Sequence, residues 1–544
     1  MSNVMKKIVV SALCLFISIG GLNGCSTSVP VSEIKHYTVF IGDSIDEPAS
    51  DNRILKRFRD ELGYDFDFEY LNIGLDDRLD VMIATGSYPD LVSGDSKLVK
   101  AGALLPLDEY ISEEKTPNLY NYIEPIHKKI ESSDGHIYII PNYGRFYGET
   151  KYNEYEGPAF WIQARVLEEA GYPRIKTIDE YFTLIDDYVH RHPETDGMST
   201  IGYEILSAAE REYIMTSPPA YLMGSPNNGP VIVDESTAVA DIYADSDYTK
   251  RYLNMIRTLN DKGLLDREGF TQSLDQYLAK IASGRVVAMF DQGWDFKPAV
   301  SKLLEQGKYD KTYVPVVPVF CDEFEPWYMD DGVINAGTGF GISVSCTNPK
   351  GLVQFMDTIL SEDWQRYIRW GIEGEDYLVD ENGRFYQTPE MRKKRNDERN
   401  KKKTQINAFY GLLPKIEGEY SDGNGAAPVY QYEEYIQCLS SYERDFYSHY
   451  GAKTIRDFLN PRRENPKYYS AWQINLIEGS DADRANDEMT ALEVEYFPRM
   501  MIAANDEEFD SLWEEYVGRL HSEVDTEAYL KRINEQIQWR MNNW

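Results

Sequence analysis

The sequence predicts a protein of the α/β class, and three observations along the chain support this. Apolar strands alternate with amphipathic helices from about residue 37 to 92, which is the pattern of a parallel sheet. A second series of strands and helices follows from about residue 150 to 370. From about residue 425 the chain is mostly amphipathic helix rich in Tyr and Glu, which predicts a helical C-terminal region.

The first series begins with a buried strand. Residues 37–41 are apolar and β-branched and end at a glycine, as in a strand that enters a loop. Apolar residues then recur at helical spacing from 54 to 62, with Asp51 as a candidate N-cap. Alternating aromatic residues at 66, 68 and 70 predict the second strand, and a helix over about 78–84 leads to a third strand at 91–92.

In parallel sheets, ligands bind beyond the carboxyl ends of the strands. Asp43 follows the first predicted strand, and Asp95 lies in the turn after the third. Both are therefore candidate ligand-binding residues. Either carboxylate could instead cap a helix.

The second series starts with a predicted helix over 160–171, and a capping box formed by Thr177 and Glu180 starts the next helix. Residues 285–290 and 339–344 predict strands, and 352–370 predict a helix. The basic run 392–403 is interpreted as a solvated surface segment.

The N-terminus has the pattern of an export signal. Lys6 and Lys7 precede an apolar run at 8–19, and a small residue stands before Cys25. A retained membrane helix is the alternative, but the run is shorter than the roughly 20 residues that a bilayer span needs. We therefore predict a signal peptide at 1–24 and a tether at 25–35. The segment before Cys25 resembles the lipobox of bacterial lipoproteins, which implies a lipid anchor on Cys25.

Charge and motifs exclude several classes of function. The chain carries 56 Lys and Arg against 91 Asp and Glu, a formal net charge of −35, which disfavours a nucleic-acid partner. No nucleophile-elbow, zinc-protease or P-loop motif occurs, and no metal or cofactor is predicted. After export and lipidation, Cys321, Cys346 and Cys438 remain, and we interpret them as small buried residues with one optional disulfide.

Several segments together resemble the bacterial extracellular solute-binding proteins of the family that includes maltose-binding protein (family 1). The similarity is greatest to the large Gram-positive lipoproteins of carbohydrate uptake. It is carried by 84–91 (ATGSYPDL), 102–110 (GALLPLDEY), 283–289 (SGRVVAM), 370–377 (WGIEGEDY) and 501–505 (MIAAN). It spans nearly the whole chain.

The resemblance implies a two-lobed fold of the periplasmic-binding-protein type, with a hinge and a ligand cleft between the lobes. Lobe one would contain 36–150 and 319–400, and lobe two 151–318 and 401–544. The implied function is capture of a carbohydrate, expected to be an oligosaccharide, outside the cell and its delivery to the permease subunits of an ABC importer. The implied protein is a monomer that lies on the outer face of the cell membrane.

Some relatives hold a structural calcium ion in a loop of alternating Asp and Asn. The comparable segment here, 192–197, offers two carboxylates, whereas a hard cation takes six or more oxygen ligands. The sequence therefore does not predict a calcium site.

A sugar presents apolar C–H faces and a rim of hydroxyl groups, so its site needs aromatic rings flanked by polar side chains. The candidate ligand-binding residues chosen on this basis are Tyr143, Arg145, Asp291, Trp294, Trp327, Trp370 and Glu373. We expect Trp294 and Trp370 to line the cleft, with Arg145 and Glu373 as hydrogen-bonding partners. Any of these tryptophans could instead be part of a core.

Two other functions remain open at this point. An extracellular glycoside hydrolase would also show aromatic and acidic residues, but it needs two carboxylates held about 5–9.5 Å apart. A sensing or adhesion lipoprotein would share the fold without a transporter.

The lipid anchor gives the first testable prediction. Replacing Cys25 with Ser removes the thiol that would carry the acyl chains, so the protein should leave the membrane fraction or keep its signal peptide. Detergent-phase partitioning and the intact mass of the product measure this. Unchanged partitioning and mass would contradict a lipid on Cys25.

Overall fold

The computed structural model describes residues 34–42, 47–71, 74–132, 134–148, 154–207, 211–225, 227–329, 334, 336–459, 463–477 and 479–544. The predicted signal peptide, Cys25, most of the predicted tether and Asp43 lie outside these ranges.

The described strands, in chain order, are β1 Lys35–Ile41, β2 Tyr64–Tyr70, β3 Leu91–Ser93, β4 Phe146–Tyr147, β5 Pro158–Gln163, β6 Glu194–Thr195, β7 Met198–Ser199 and β8 Ile201–Glu204. They continue with β9 Val231–Asp234, β10 Val239–Ile242, β11 Val286–Gln292, β12 Tyr313–Val316, β13 Phe340–Ile342, β14 Leu378–Val379, β15 Phe385–Tyr386 and β16 Glu417–Gly418.

The described α-helices begin with α1 Arg53–Arg57, α2 Leu75–Thr85, α3 Ser96–Lys100, α4 Pro117–Ile123, α5 His127–Ile130, α6 Ala164–Glu169, α7 Ile178–Arg191, α8 Tyr213–Thr216, α9 Pro218–Leu222, α10 Asp247–Asp261, α11 Leu274–Ser283 and α12 Gly293–Glu305. They continue with α13 Pro349–Ile359, α14 Glu362–Arg369, α15 Pro389–Asn396, α16 Glu398–Thr404, α17 Asn407–Leu412, α18 Tyr432–Cys438, α19 Ser441–His449, α20 Ile455–Phe458, α21 Asp481–Met501, α22 Asp506–Glu523 and α23 Thr526–Asn543.

The first lobe is built on a four-stranded sheet of order β13–β3–β1–β2. Strand β1 is parallel to β2 and β3, and β13 returns antiparallel to β3. Val39, Leu91 and Ile342 are fully buried in its core. The predicted alternation of strands and helices thus forms a largely parallel sheet, which confirms the predicted class of fold.

The second lobe is built on a sheet of order β12–β5–β11–β8. Strand β5 runs antiparallel to β11 and β12, whereas β8 is parallel to β11. The helix predicted over 160–171 is therefore wrong in its first half, since Pro158–Gln163 is a strand and the helix starts at Ala164. Residues 159–163 are buried on both faces, and such a run lacks the periodicity that separates strand from helix.

Other elements differ from the prediction in detail. Asn52, not Asp51, caps α1, because its side chain accepts hydrogen bonds from the amides of Ile54 and Leu55. The helix predicted over 352–370 consists of α13 and α14. The capping box of Thr177 and Glu180 is present at α7. The basic segment 392–403 forms α15 and α16, which contain no buried residue.

The C-terminal helices α21, α22 and α23 pack on one another and on the second lobe, and the prediction of a helical C-terminal region is confirmed. Tyr496, Tyr516 and Ile537 are buried in the same core as β5 and β11. No helix in the described part of the chain is both long and apolar enough to cross a membrane. Cys321, Cys346 and Cys438 are free thiols.

The chain passes between the two cores through three connections. One contains β4 and another contains β16, and these two strands pair in parallel, with Phe146 opposite Glu417 and Tyr147 opposite Gly418. The third connection leads from Tyr328 in the second core to Phe340 in the first. Residues of α17, and Leu413 directly after it, pack in the first core, beyond residue 400, which was predicted as its limit. The predicted lobe bounds otherwise remain predictions.

A buried carboxyl group at the end of β8 gives a test by pH. Glu204 is fully buried and accepts a hydrogen bond from Gln272 Nε2 at 2.9 Å. Burial, with repulsion from Asp266 as the second cause, raises the pKa of Glu204 to about 8. Because this pKa is raised on folding, its contribution to stability is full below about pH 4.5 and is lost as the pH rises through about 8.

Glu204→Gln removes this titration, so its unfolding temperature should exceed that of the unchanged protein at pH 8 by about 1 °C per kcal/mol gained, since the entropy of unfolding grows with chain length. The difference should shrink as the pH falls toward 5. Thermal unfolding followed by circular dichroism at pH 5, 6.5 and 8 measures it. A difference that does not depend on pH would contradict the assignment.

Candidate functional site

Three strands of the second sheet end at the same edge. These strands are β8, β11 and β12. Strand β8 is parallel to β11, and the antiparallel strand β5 begins where β11 ends, with Pro158 opposite Gln292. The end of β12 also lies there, since Val316 pairs with Phe160. The loops that follow these strand ends are therefore brought together, as at the ligand-binding edge of α/β sheets.

A cavity of about 190 Å³ lies at this edge. Its described lining is aromatic and amide-bearing, and consists of Tyr143, Pro158, Tyr221, Asn227, Trp327, Tyr328, Tyr469, Trp472 and Gln473. Tyr143 belongs to the connection that leaves the first core, whereas Tyr221, Tyr328 and Tyr469 belong to the second. The cavity therefore lies where the two lobes meet, close to the crossing strands.

Trp327 forms the inner wall of this cavity and is 1% exposed. The Arg463 guanidinium lies 3.9 Å from the centroid of its ring, and the Tyr469 ring is stacked on it at 6.5 Å. Trp327 Nε1 and Gln473 Nε2 are buried and have no hydrogen-bond partner among the described residues. A buried donor left unsatisfied costs about 1–3 kcal/mol, so these groups favour a ligand that brings acceptor oxygens.

Two aromatic side chains at the mouth of the cavity are exposed to solvent. Trp472 is 46% exposed and Tyr143 is 36% exposed. These two rings therefore offer free faces against which a flat apolar surface can stack.

The wall that carries Tyr143 is held by hydrogen bonds on both sides of it. The amide of Gly144 donates to Glu417 Oε2 at 2.7 Å, and Tyr122 Oη donates to the carbonyl of Pro141 at 2.9 Å. Glu417 is buried, and burial raises its pKa, although Lys415 opposes the shift. Tyr143 thus has a fixed backbone and a free ring.

The opposite wall is the loop 468–473, which joins no regular strand. The amide of Ala471 donates to Asn228 Oδ1 at 2.9 Å. Arg540 Nη1 donates to the carbonyls of Tyr468 and Ser470, at 2.9 and 2.6 Å. The backbone of this loop is therefore anchored at two points while Trp472 projects to solvent.

Trp294 lies at the same edge, two residues after Gln292, and is 49% exposed. The Arg211 guanidinium lies 5.7 Å from its ring centroid and is held by Asp295 at 2.9 Å. Trp294 therefore remains a candidate ligand-binding residue.

The prediction that Asp291 contacts a ligand is wrong. Its carboxyl group is fully buried, and both oxygens are used, by the Tyr277 hydroxyl at 2.6 Å and the Gln292 amide at 2.6 Å. Burial, followed by repulsion from Asp295, raises its pKa well above the usual range. Asp291 supports the edge of the sheet from inside the lobe.

The prediction that Trp370 lines the cleft is also wrong. Its indole is 1% exposed, donates from Nε1 to the carbonyl of Gly425 at 2.8 Å, and packs on the rings of Tyr377 and Phe385. These residues form a small core of their own beside the crossing strands. Glu373 is exposed on the loop that follows Trp370 and does not line the cavity.

The remaining predicted residues have structural contacts. Asp95 caps α3, since its side chain accepts from the amide of Lys97 at 2.7 Å. Arg145 lies over the Tyr147 ring and donates to the carbonyl of Tyr122 at 3.3 Å. Of the predicted residues, the structure places Tyr143 and Trp327 in one cavity and Trp294 at the same edge, and it does not bring Asp95, Trp370 or Glu373 to it.

Sequence reasoning missed most of the cavity wall. The lining residues that were not among the predicted ligand-binding residues are Pro158, Tyr221, Asn227, Tyr328, Tyr469, Trp472 and Gln473. The run Tyr-Tyr-Ser-Ala-Trp-Gln at 468–473 was the available signal, because it places two kinds of aromatic residue and an amide in a loop between helices.

The described lining of the cavity contains no Asp or Glu. Within the ranges that the structure describes, no group of three or more His, Cys, Asp or Glu is placed to hold a metal ion. Asp196, in the segment considered for calcium, instead pairs with Lys308 and Lys311, at 3.2 and 2.9 Å.

Comparison with known proteins identifies related chains. Residues 53–370 match the profile of a family described as bacterial extracellular solute-binding protein. One relative is the fructooligosaccharide ABC transporter substrate-binding protein FusA of Streptococcus pneumoniae serotype 4, which is 26% identical over 265 residues. That alignment covers 46% of this chain, and the chain spans about half of that relative's length, 48%.

Solved structures show the same fold over most of the chain. FusA of S. pneumoniae in complex with kestose superposes with a TM-score of 0.61 at 16% identity, covering 94% of this chain and 100% of that one. A solute-binding protein of Bifidobacterium longum infantis, described as binding HMO, gives 0.63 at 16% identity, covering 94% and 99%. At these identities the likeness concerns the fold, which has two lobes, a hinge and a cleft between them.

The contrast between two tryptophans tests the assignment of core and surface. Trp370→Ala should lower the free energy of unfolding by about 3–5 kcal/mol, because it empties a packed core position. Trp294→Ala is the matched control and should change it by less than about 1 kcal/mol. Urea unfolding of both variants measures this, and equal losses would contradict the assignment.

Proposed function

The chain belongs to the bacterial extracellular solute-binding protein family, and we propose that it is the substrate-binding component of an ABC importer for a carbohydrate. The sugar would be held at the cavity lined by Trp327 and Trp472. In a two-lobed fold, the lobes close about the hinge when the ligand binds. The closed protein then has a shape that the permease subunits can recognise.

The observation that carries this proposal is the composition of the cavity. Free faces of Tyr143 and Trp472 stand beside the amides of Asn227 and Gln473. Aromatic faces match the C–H faces of a sugar ring, and amides can both donate to and accept from hydroxyl groups. The buried donors on Trp327 and Gln473 would gain acceptors from the same hydroxyl groups.

A second exposed tryptophan favours an oligosaccharide as the ligand. Trp294 adds a second exposed ring at the same edge of the sheet, next to Arg211, so that a chain of sugars could contact both aromatic groups. The relatives are also described with oligosaccharides, among them kestose for FusA and Man5GlcNAc for an N-glycan transport protein of S. pneumoniae.

The relatives are described as substrate-binding proteins, which supports a protein that binds its ligand without catalysis. We further propose that the protein acts as a monomer, one for each transporter. The anchor on Cys25 would keep it at the outer face of the membrane, close to the permease.

Calorimetric titration with kestose, nystose, milk oligosaccharides, N-glycan fragments and plant storage oligosaccharides tests the function. Binding of at least one sugar, with no release of reducing ends over hours, is the expected result. Steady product formation in proportion to protein concentration would instead identify an enzyme.

The role of the exposed indole can be measured on the sugar that binds most tightly. Trp472→Ala removes a stacking face worth roughly 1–3 kcal/mol by analogy with stacked bases, so the Kd should rise about tenfold to a hundredfold. Trp294→Ala should raise it as well if the sugar extends along the edge. Trp539→Ala is the control, because Trp539 is 44% exposed on α23 and does not line the cavity. An unchanged Kd for Trp472→Ala would exclude this cavity.

A further inference from the structure

We propose that Arg540 and Trp544 form a bridge between the lobes that positions the loop 468–473 of the ligand cavity. The bridge joins the loop to α5 of the first lobe through side chains of the second. That the bridge positions a wall of a ligand-binding cavity rests on the proposed function, whereas the contact between the lobes does not.

The first end of the bridge reaches the first lobe. Trp544 Nε1 donates to the carbonyl of Lys128 at 3.2 Å, and Lys129 Nζ lies 5.0 Å from the centroid of the indole. Both lysines belong to α5, whose Ile130 is buried in the core of the first lobe. Helix α23, which leads to Trp544, is packed in the core of the second lobe through Ile533 and Ile537.

The second end of the bridge holds the cavity loop. Arg540 is 6% exposed, and its Nη1 donates to the carbonyls of both Tyr468 and Ser470. No carboxylate in the described part of the chain pairs with it, and burial lowers its pKa to about 10. A buried cation needs compensation, which here comes from the two loop carbonyls and from the Trp544 ring, 4.5 Å from the guanidinium.

The indole also makes it possible for two cations to approach each other. Lys129 and Arg540 carry the same charge and come from different lobes, and both lie over the ring of Trp544. Partial desolvation and the Arg540 charge lower the pKa of Lys129. Without the ring, these charges would repel each other across the interface, whereas the ring attracts both.

The same part of the first lobe supports the opposite wall of the cavity. Tyr122 of α4 donates from its hydroxyl to the carbonyl of Pro141, and its own carbonyl accepts from Arg145 Nε. Pro141 and Arg145 lie on either side of Tyr143 in the chain. Helices α4 and α5 are linked through the turn at 124–126. The bridge therefore couples the two walls, Tyr143 and the loop 468–473, so that a movement between the lobes changes the distance between them.

The contact is tested without any ligand by hydrogen exchange in the sugar-free protein. Trp544→Ala and Arg540→Lys should each increase amide exchange in the segment 468–473 by threefold or more, and Trp544→Ala should also increase it in 127–130. Trp539→Ala, on the same helix, should leave both segments unchanged. Exchange equal to that of the unchanged protein in both bridge variants would overturn the proposal, whether or not a sugar is known.

The effect of the bridge on ligand binding is measured with the sugar that the unchanged protein binds most tightly in the calorimetric titration. Trp544→Ala should raise the Kd about threefold to tenfold, mainly through faster dissociation, while Trp539→Ala does not. In a double-mutant cycle, Lys129→Ala and Trp544→Ala should not add, because both remove the same contact. Additive effects, or a Kd unchanged in Trp544→Ala, would overturn the coupling. Failure of every sugar to bind the unchanged protein would instead refute the proposed function alone.

Discussion

The pairing of β4 with β16 is the contact on which the arrangement of the two lobes depends. Each lobe closes its own hydrophobic core, and three connections pass between the cores. Two of these connections are held together by a ladder of only two residue pairs. So short a ladder fixes where the lobes meet but resists rotation weakly, which is the property that a hinge needs.

Buried charge reinforces this hinge. Glu417 accepts from the amide of Gly144 at 2.7 Å and from the hydroxyl of Tyr430 at 3.1 Å. Lys415 lies nearby, and burial, with Arg369 as the second cause, lowers its pKa to about 8. Because these groups lie beside the crossing strands, the backbone of Tyr143 is fixed by the same interactions that fix the hinge. The cavity is thus formed by the hinge itself on one side and by the loop 468–473 on the other.

Aromatic residues have two separate roles in this protein. Trp370 and Trp327 are both 1% exposed, but Trp370 satisfies its N–H on Gly425 in a closed core, while Trp327 has no partner for its N–H among the described residues. Trp472, Trp294 and Tyr143 keep much of their surface in solvent. The difference between the roles lies in what surrounds each ring and not in the residue type.

The sequence by itself determined the α/β class, the strands β1 to β3, the capping box of α7 and the helical C-terminal region, because period, caps and turn residues are local properties. The sequence predicted a helix where β5 lies, because burial on both faces of this strand removes the alternation of apolar and polar residues that identifies a strand. It predicted Tyr143, Trp294 and Trp327, but it also predicted Asp291 and Trp370, which the tertiary structure placed in the interior. Only the tertiary structure brought Tyr143 to the loop 468–473 across more than 300 residues of chain, since that proximity depends on sheet order and on the pairing of β4 with β16.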